Sequence, residues 1–149
     1  MEPSDFDWSV RSEIYRVFRE TGASPSLEQL ASSVGASLEQ ITVSLTVLYD
    51  AHEIAPAPDG SGVWMANPFS GVETEYPVET PHMTCYANCA WDALGVPAIL
   101  GTDGWTRTRC QKSGVPMEFG VRDGQLAGDD GVIHLVTPPR HAWLDIGFT

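Results

Sequence analysis

Residues 86–97 read Tyr-Ala-Asn-Cys-Ala-Trp-Asp-Ala-Leu-Gly-Val-Pro (YANCAWDALGVP), and the chain changes character on either side of them. Upstream, apolar residues recur at helical spacing. Downstream, the pattern switches to period two. The stretch itself reads as a helix closed by Gly95 and Pro97, with Cys89 three residues before Asp92. At roughly 100° per residue, positions three and four apart share a helix face. The spacing therefore predicts Cys85, Cys89 and Asp92 within about 60° of one another, with Trp91 pointing the opposite way. A soft nucleophile and a proton-exchanging group would then face one small volume.

Residues 1–66 predict three helices and a hairpin. Val10, Ile14, Val17 and Phe18 mark the first helix, which stops near Thr21-Gly22. Ser26-Leu27-Glu28-Gln29 and Ser37-Leu38-Glu39-Gln40 each have the form of a capping box, a serine followed three residues later by Gln, and open two more helices. Glu53-Ile54-Ala55 and Val63-Trp64-Met65 flank a turn at Pro58-Asp59-Gly60. That order is a winged-helix pattern. Residues 67–83, with three prolines and no period, predict a linker or extended strap holding an ordered turn at Asn67-Pro68-Phe69-Ser70. Residues 84–149 predict a helix on a small antiparallel sheet. Its strands run through Trp105–Arg109, Val115–Val121 and Val132–Val136, with turns at Lys112-Ser113-Gly114 and Asp123-Gly124. The fold class is α+β.

Composition narrows the function. Hydrophobic residues make up 42% of the 149 positions, enough for a packed core. There is no apolar run long enough to span a bilayer and no secretory pattern in MEPSDFDWSV, so a cytoplasmic protein is expected. Three cysteines fit reduced thiols better than a disulfide framework. The formal charge is −12, concentrated in residues 1–80, where thirteen acids face only Arg11, Arg16 and Arg19. The third helix, from Ser37 to Asp50, would be the reading helix of a DNA-binding winged helix, yet it carries no Lys or Arg. Phosphate and guanine contacts rely heavily on those residues, so nucleic acid is not an expected partner.

Each candidate group also has an ordinary role. An isolated cysteine is commonly a small buried hydrophobe. Cys110, on an alternating strand face, is expected in the core, as are Trp91, Trp105 and Trp143. His52, His82, His134 and His141 lie in separate elements with no zinc-ligand spacing.

Asn88-Cys89-Ala90-Trp91-Asp92-Ala93-Leu94, followed by Pro97 and Gly101, resembles the core of the alkylmercury lyases. Asn67-Pro68-Phe69-Ser70, Cys110, Ala142-Trp143-Leu144-Asp145-Ile146 and Phe148-Thr149 extend the resemblance over nearly the whole chain. Family members protonate the carbon of a carbon–mercury bond with two cysteine thiolates and one aspartate, without a bound cofactor. The resemblance implies that Cys89 is the first thiolate and Asp92 the proton carrier, with an organomercurial substrate and small thiols as partners. The family's second cysteine follows the segment that resembles Trp143–Thr149, and no cysteine of this sequence matches it. On helical geometry alone, Cys85 is the substitute thiol for the metal. Three functions stay open: a lyase, a catalytically silent relative that binds a soft metal or thiol-reactive ligand, and a winged-helix regulator.

Overall fold

A computed structural model describes residues 1–147. Three helices open the chain: α1 (Asp5–Thr21), α2 (Leu27–Val34) and α3 (Leu38–Asp50). One device starts all three. The hydroxyls of Ser4, Ser26 and Ser37 accept the backbone N–H three residues on, and the side chains there, Asp7, Gln29 and Gln40, accept the N-cap's own N–H. This satisfies donors that a helix start otherwise leaves bare. Val10, Ile14 and Phe18 meet Leu30, Ile41 and Leu48 in a core where each is fully buried. Asp7 is itself buried, and its second oxygen accepts from the Ser44 hydroxyl at 2.6 Å, tying the start of α1 to α3.

The hairpin β1 (Ala55–Pro56) and β2 (Val63–Ala66) follows. It does not stand apart from the second half. With β3 (Phe69–Ser70), β4 (Pro77–Glu79), β5 (Thr84–Ala87), β6 (Gly104–Arg109), β7 (Pro116–Arg122) and β8 (Gln125–Gly128), it forms one eight-stranded antiparallel sheet. The strand order is β1-β2-β3-β5-β4-β6-β7-β8. Helix α4 (Ala90–Leu100) packs against β4, β5, β6 and β7. The architecture is α+β, as expected, but the sheet is larger than the sequence implied.

Three local expectations change. Residues 67–83 contribute β3 and β4 to the middle of the sheet, where Phe69 and Val78 are fully buried. Their prolines are compatible with this because Pro68 sits in the β2–β3 turn and Pro77 opens β4, where proline disturbs a sheet least. Gly95 and Pro97 do not close α4, which runs on to Leu100 and ends at Gly101 in the left-handed conformation (φ 64°). Proline removes one helical donor, but the Pro97 ring is buried against Gly104, where an added Cβ would lie 3.0 Å from Pro97 Cβ. Gly95 gives Pro68 the same close approach, at 3.0 Å. Finally, Val132–Val136 is not a strand. The two-residue turn Asp123-Gly124 (φ 50° and 72°) instead returns the chain as β8, which takes the free edge of β7. Val132 and Val136 remain 93% and 70% exposed.

The last described element is a 3-10 helix, Pro139–Leu144. Its Trp143 reaches the C-terminal end of α3, stacking on His52 with centroids 4.9 Å apart and meeting Tyr49 edge-on at 5.7 Å. Trp143 is thus a half-buried docking residue and not a core one. Trp105 lies half-buried beneath Arg122, and Trp91 is 64% exposed, so neither is central to the core.

Candidate active site

β5 delivers the chain to the site. Its side chains alternate, so Cys85 and Ala87 point inward while Thr84 and Tyr86 are more exposed. Cys85 pairs opposite Val78 and is 1% exposed. Burial pushes its thiol pKa up to about 11. The predicted helical stripe joining Cys85 to Cys89 is therefore corrected, because a strand ends and a helix begins between them.

Cys89 is the N-cap of α4, with extended backbone (φ −155°, ψ −179°). It thus sits at the helix start, a position the sequence did not reveal. The thiol is half-buried and forms no capping hydrogen bond. Burial raises its pKa, and the Asp92 carboxylate raises it further. The backbone amides of Asp92 and Trp91 act in the opposite sense and favour the thiolate. Such amides belong to the bare donors of a helix start.

Asp92 lies in the first turn of α4, also half-buried. Burial raises its pKa, while a hydrogen bond from Asn88 lowers it. That bond runs from Asn88 Nδ2 to Asp92 Oδ2 at 3.1 Å. The same nitrogen donates to Asn67 Oδ1 at 2.9 Å and to the Phe69 carbonyl at 3.1 Å. The backbone carbonyl of Asn67 accepts from the Tyr15 hydroxyl at 2.7 Å. Burial raises the Tyr15 pKa, and Asp92 is one of the charges that raise it further. Helix α1, the β2–β3 turn and the start of α4 are therefore linked at the Asp92 carboxyl, which in turn acts on the Cys89 thiol. Neither group is sealed in hydrocarbon, and neither is fully in water.

Cys110 follows β6 and is half-exposed, not in the core. The Ser113 hydroxyl, with the backbone N–H groups of Ser113 and Lys112, lowers its pKa. Tyr76 is raised by burial and then by the charge on Cys89, with Cys110 a smaller contributor. Among the described residues, no group of three or more His, Cys, Asp or Glu is arranged to hold a metal ion. Two surface clefts, of about 400 and 320 Å³, are lined by neither Cys89 nor Asp92.

Sequence reasoning placed Cys89 and Asp92 together, and the structure does so as well. It gave no sign of Tyr15, and it marked Asn67 only as part of a turn, not as a partner of Asn88. Nothing in the helical period distinguishes Tyr15 from its neighbours, because its contact is made fifty-two residues away.

The family model described as alkylmercury lyase matches residues 69–148, more than half of the chain. The chain belongs to the alkylmercury lyase family. Among solved structures it resembles the mercury-bound form of MerB2, with a TM-score of 0.67 and 22% identity. The match covers 83% of this chain and 59% of that one, so the chain spans less than two thirds of that relative's length. At this identity the likeness speaks for the fold. No curated protein matches. Among the described residues, no helix is long and apolar enough to cross a membrane. Phe148 and Thr149, part of the sequence resemblance, lie outside the described residues.

Proposed function

We propose that this protein cleaves carbon–mercury bonds by protonolysis, with Cys89 as thiolate ligand and Asp92 as proton carrier. The observation that carries the reading is the placement of the Cys89 thiol at the start of α4 with the Asp92 carboxyl acting on it. Mercury is soft and favours sulfur over oxygen ligands. The Cys89 thiolate takes up R–Hg⁺. An incoming small thiol gives its proton to Asp92 as its sulfur binds mercury. Asp92 then transfers that proton to the carbon, whose bonding pair leaves mercury to form the C–H bond. The hydrocarbon departs, mercury stays on the two sulfurs, and Asp92 returns to carboxylate. This is general acid–base chemistry by one residue. Its raised pKa favours holding the proton between the two transfers. The protein supplies no bound cofactor, since mercury enters with the substrate.

The test is incubation of reduced, folded protein with phenylmercury and excess small thiol. Benzene release that Cys89→Ser abolishes supports the reading. A second reading is a catalytically silent relative, favoured by the burial of Cys85, the thiol that helical spacing had placed beside Cys89. It gives stoichiometric mercury uptake at Cys89 without benzene. Absence of both uptake and release removes both readings.

A further inference from the structure

Asn88 carries an amide whose two ends are treated unequally. Nδ2 faces three acceptors, Asn67 Oδ1 at 2.9 Å, the Phe69 carbonyl at 3.1 Å and Asp92 Oδ2 at 3.1 Å. A side-chain amide nitrogen has only two protons to give. Oδ1, at the other end, is buried and accepts from nothing. A buried unpaired carbonyl is ordinarily costly. The orientation is nevertheless determined by its surroundings, because reversing the amide would set Oδ1 against the lone pairs of the Phe69 carbonyl and the Asp92 carboxylate. A bond to an ionised carboxylate is stronger than one between neutral groups, and it offsets the unpaired end.

The chain of contacts continues away from the site. Asn67, whose side chain meets Asn88, accepts the Tyr15 hydroxyl at its backbone carbonyl at 2.7 Å. Tyr15 is held in turn by Arg11, whose guanidinium lies 4.7 Å from the ring centroid. Helix α1 thereby reaches Asp92 through Tyr15, Asn67 and Asn88. Asp92 is half-buried at the start of α4, and the bond from Asn88 restrains its carboxylate.

We infer that Asn88 is a positioning residue that holds the Asp92 carboxylate toward the space beside the Cys89 thiol, acting through Asp92 and not on the metal. The inference rests on the assignment of Asp92 as proton carrier. It separates two steps: mercury capture at Cys89 does not depend on Asn88, and proton delivery to carbon does.

The experiment compares the parent with Asn88→Ala, Asp92→Asn and the double variant, using phenylmercury and excess small thiol. Capture is read as the phenylmercury adduct on Cys89 and turnover as benzene. Asn88→Ala keeps capture within about twofold and lowers benzene release about 10–100-fold, the scale of a misplaced catalytic group. The double variant falls no further than Asp92→Asn, because the two residues act as one unit. Unchanged release in Asn88→Ala, equal losses of capture and release, or a further fall in the double variant each overturn the inference while leaving the proposed reaction intact. A parent that captures mercury without releasing benzene overturns the reaction instead. The tie is then read by ¹⁵N NMR. The Asn88 side-chain amide pair, assigned by its loss in Asn88→Ala, shifts in Asp92→Asn if the contact exists, and an unmoved pair overturns the inference.

Discussion

The three thiols sit in three different electrostatic settings, and their reactivities should follow. Cys110 is half-exposed with a lowered pKa, Cys89 is half-buried with a raised one, and Cys85 is sealed and pushed up to about 11. Because the thiolate is the reacting form, iodoacetamide at neutral pH should label Cys110 first, Cys89 more slowly and Cys85 only on unfolding. Peptide mass spectrometry reads the order, and early labelling of Cys85 contradicts it. Asp92 is a negative charge that disfavours the Cys89 thiolate. Asp92→Asn should therefore move the midpoint of Cys89 labelling to lower pH and speed labelling near neutrality. An unchanged or upward-shifted midpoint would show that the two groups do not interact. At this scale the Cys89–Asp92 pair was legible because three residues of separation within the local pattern sufficed to relate them. Cys85 was not. A separation of four is even, so it keeps a side chain inward on a strand as readily as it keeps it aligned on a helix. No short run of sequence there distinguishes the two.

The helices of the first half were legible as elements because their start signals are local and complete. Ser26 with Gln29 and Ser37 with Gln40 formed the reciprocal bonds that the pattern implied, and Ser4 with Asp7, which the pattern had not marked, forms them as well. The capping boxes nevertheless differ in what they hold. Ser26→Ala removes one exposed cap and should cost about 1 kcal/mol in urea unfolding. Asp7→Ala keeps the backbone half of the Ser4 cap but removes the carboxylate that accepts from the Ser4 N–H and hydroxyl, and it also strips the buried Ser44 hydroxyl of its acceptor, so about 2–3 kcal/mol is expected. Equal losses would mean that the tie to α3 contributes nothing. The pH dependence has a definite sign. Burial acts to raise the Asp7 pKa, but hydrogen bonds from Ser4 and Ser44 outweigh it and the net shift is downward. Stability from a carboxylate lowered in the folded state is fully present above its unfolded value, about 3.9, and is lost as pH falls through the folded value. The gap between parent and Asp7→Ala should thus narrow below about pH 4. The elements that were misread, the linker and the Val132–Val136 strand, depend on pairing. Whether a short apolar run joins a sheet is decided by which edge is free, and β8 had already taken the edge of β7.

The sequence suggests two lobes at the scale of the whole molecule, but the packing joins them. Phe18 of α1 stacks on Phe69 of β3 with centroids 5.2 Å apart and planes 8° from parallel. One buried cluster runs from Val10 and Ile14 through Phe69 and Val78 to Ala93 and Val96 on the inner face of α4. This long-range pairing could not be read locally, because neither phenylalanine carries a mark of its partner fifty-one residues away. It has a consequence for unfolding. If the halves were independent, a truncation in the sheet would leave the helices untouched. With a shared core, Phe69→Ala removes a fully buried ring that both halves contact, a loss of about 3–5 kcal/mol. Far-UV circular dichroism reports chiefly the helices of the first half, while fluorescence from Trp105 on β6, in a background with Trp8, Trp64, Trp91 and Trp143 changed to Phe, reports the sheet of the second. Both signals should move to lower denaturant together, in one transition, as expected for a single cooperative unit. If the helical signal keeps its parental midpoint while the tryptophan signal falls, the two halves are separate. Tyr15 would then reach Asn67 only as one folded body leaning on another, and the tie from α1 to Asp92 would not hold the carboxylate in place.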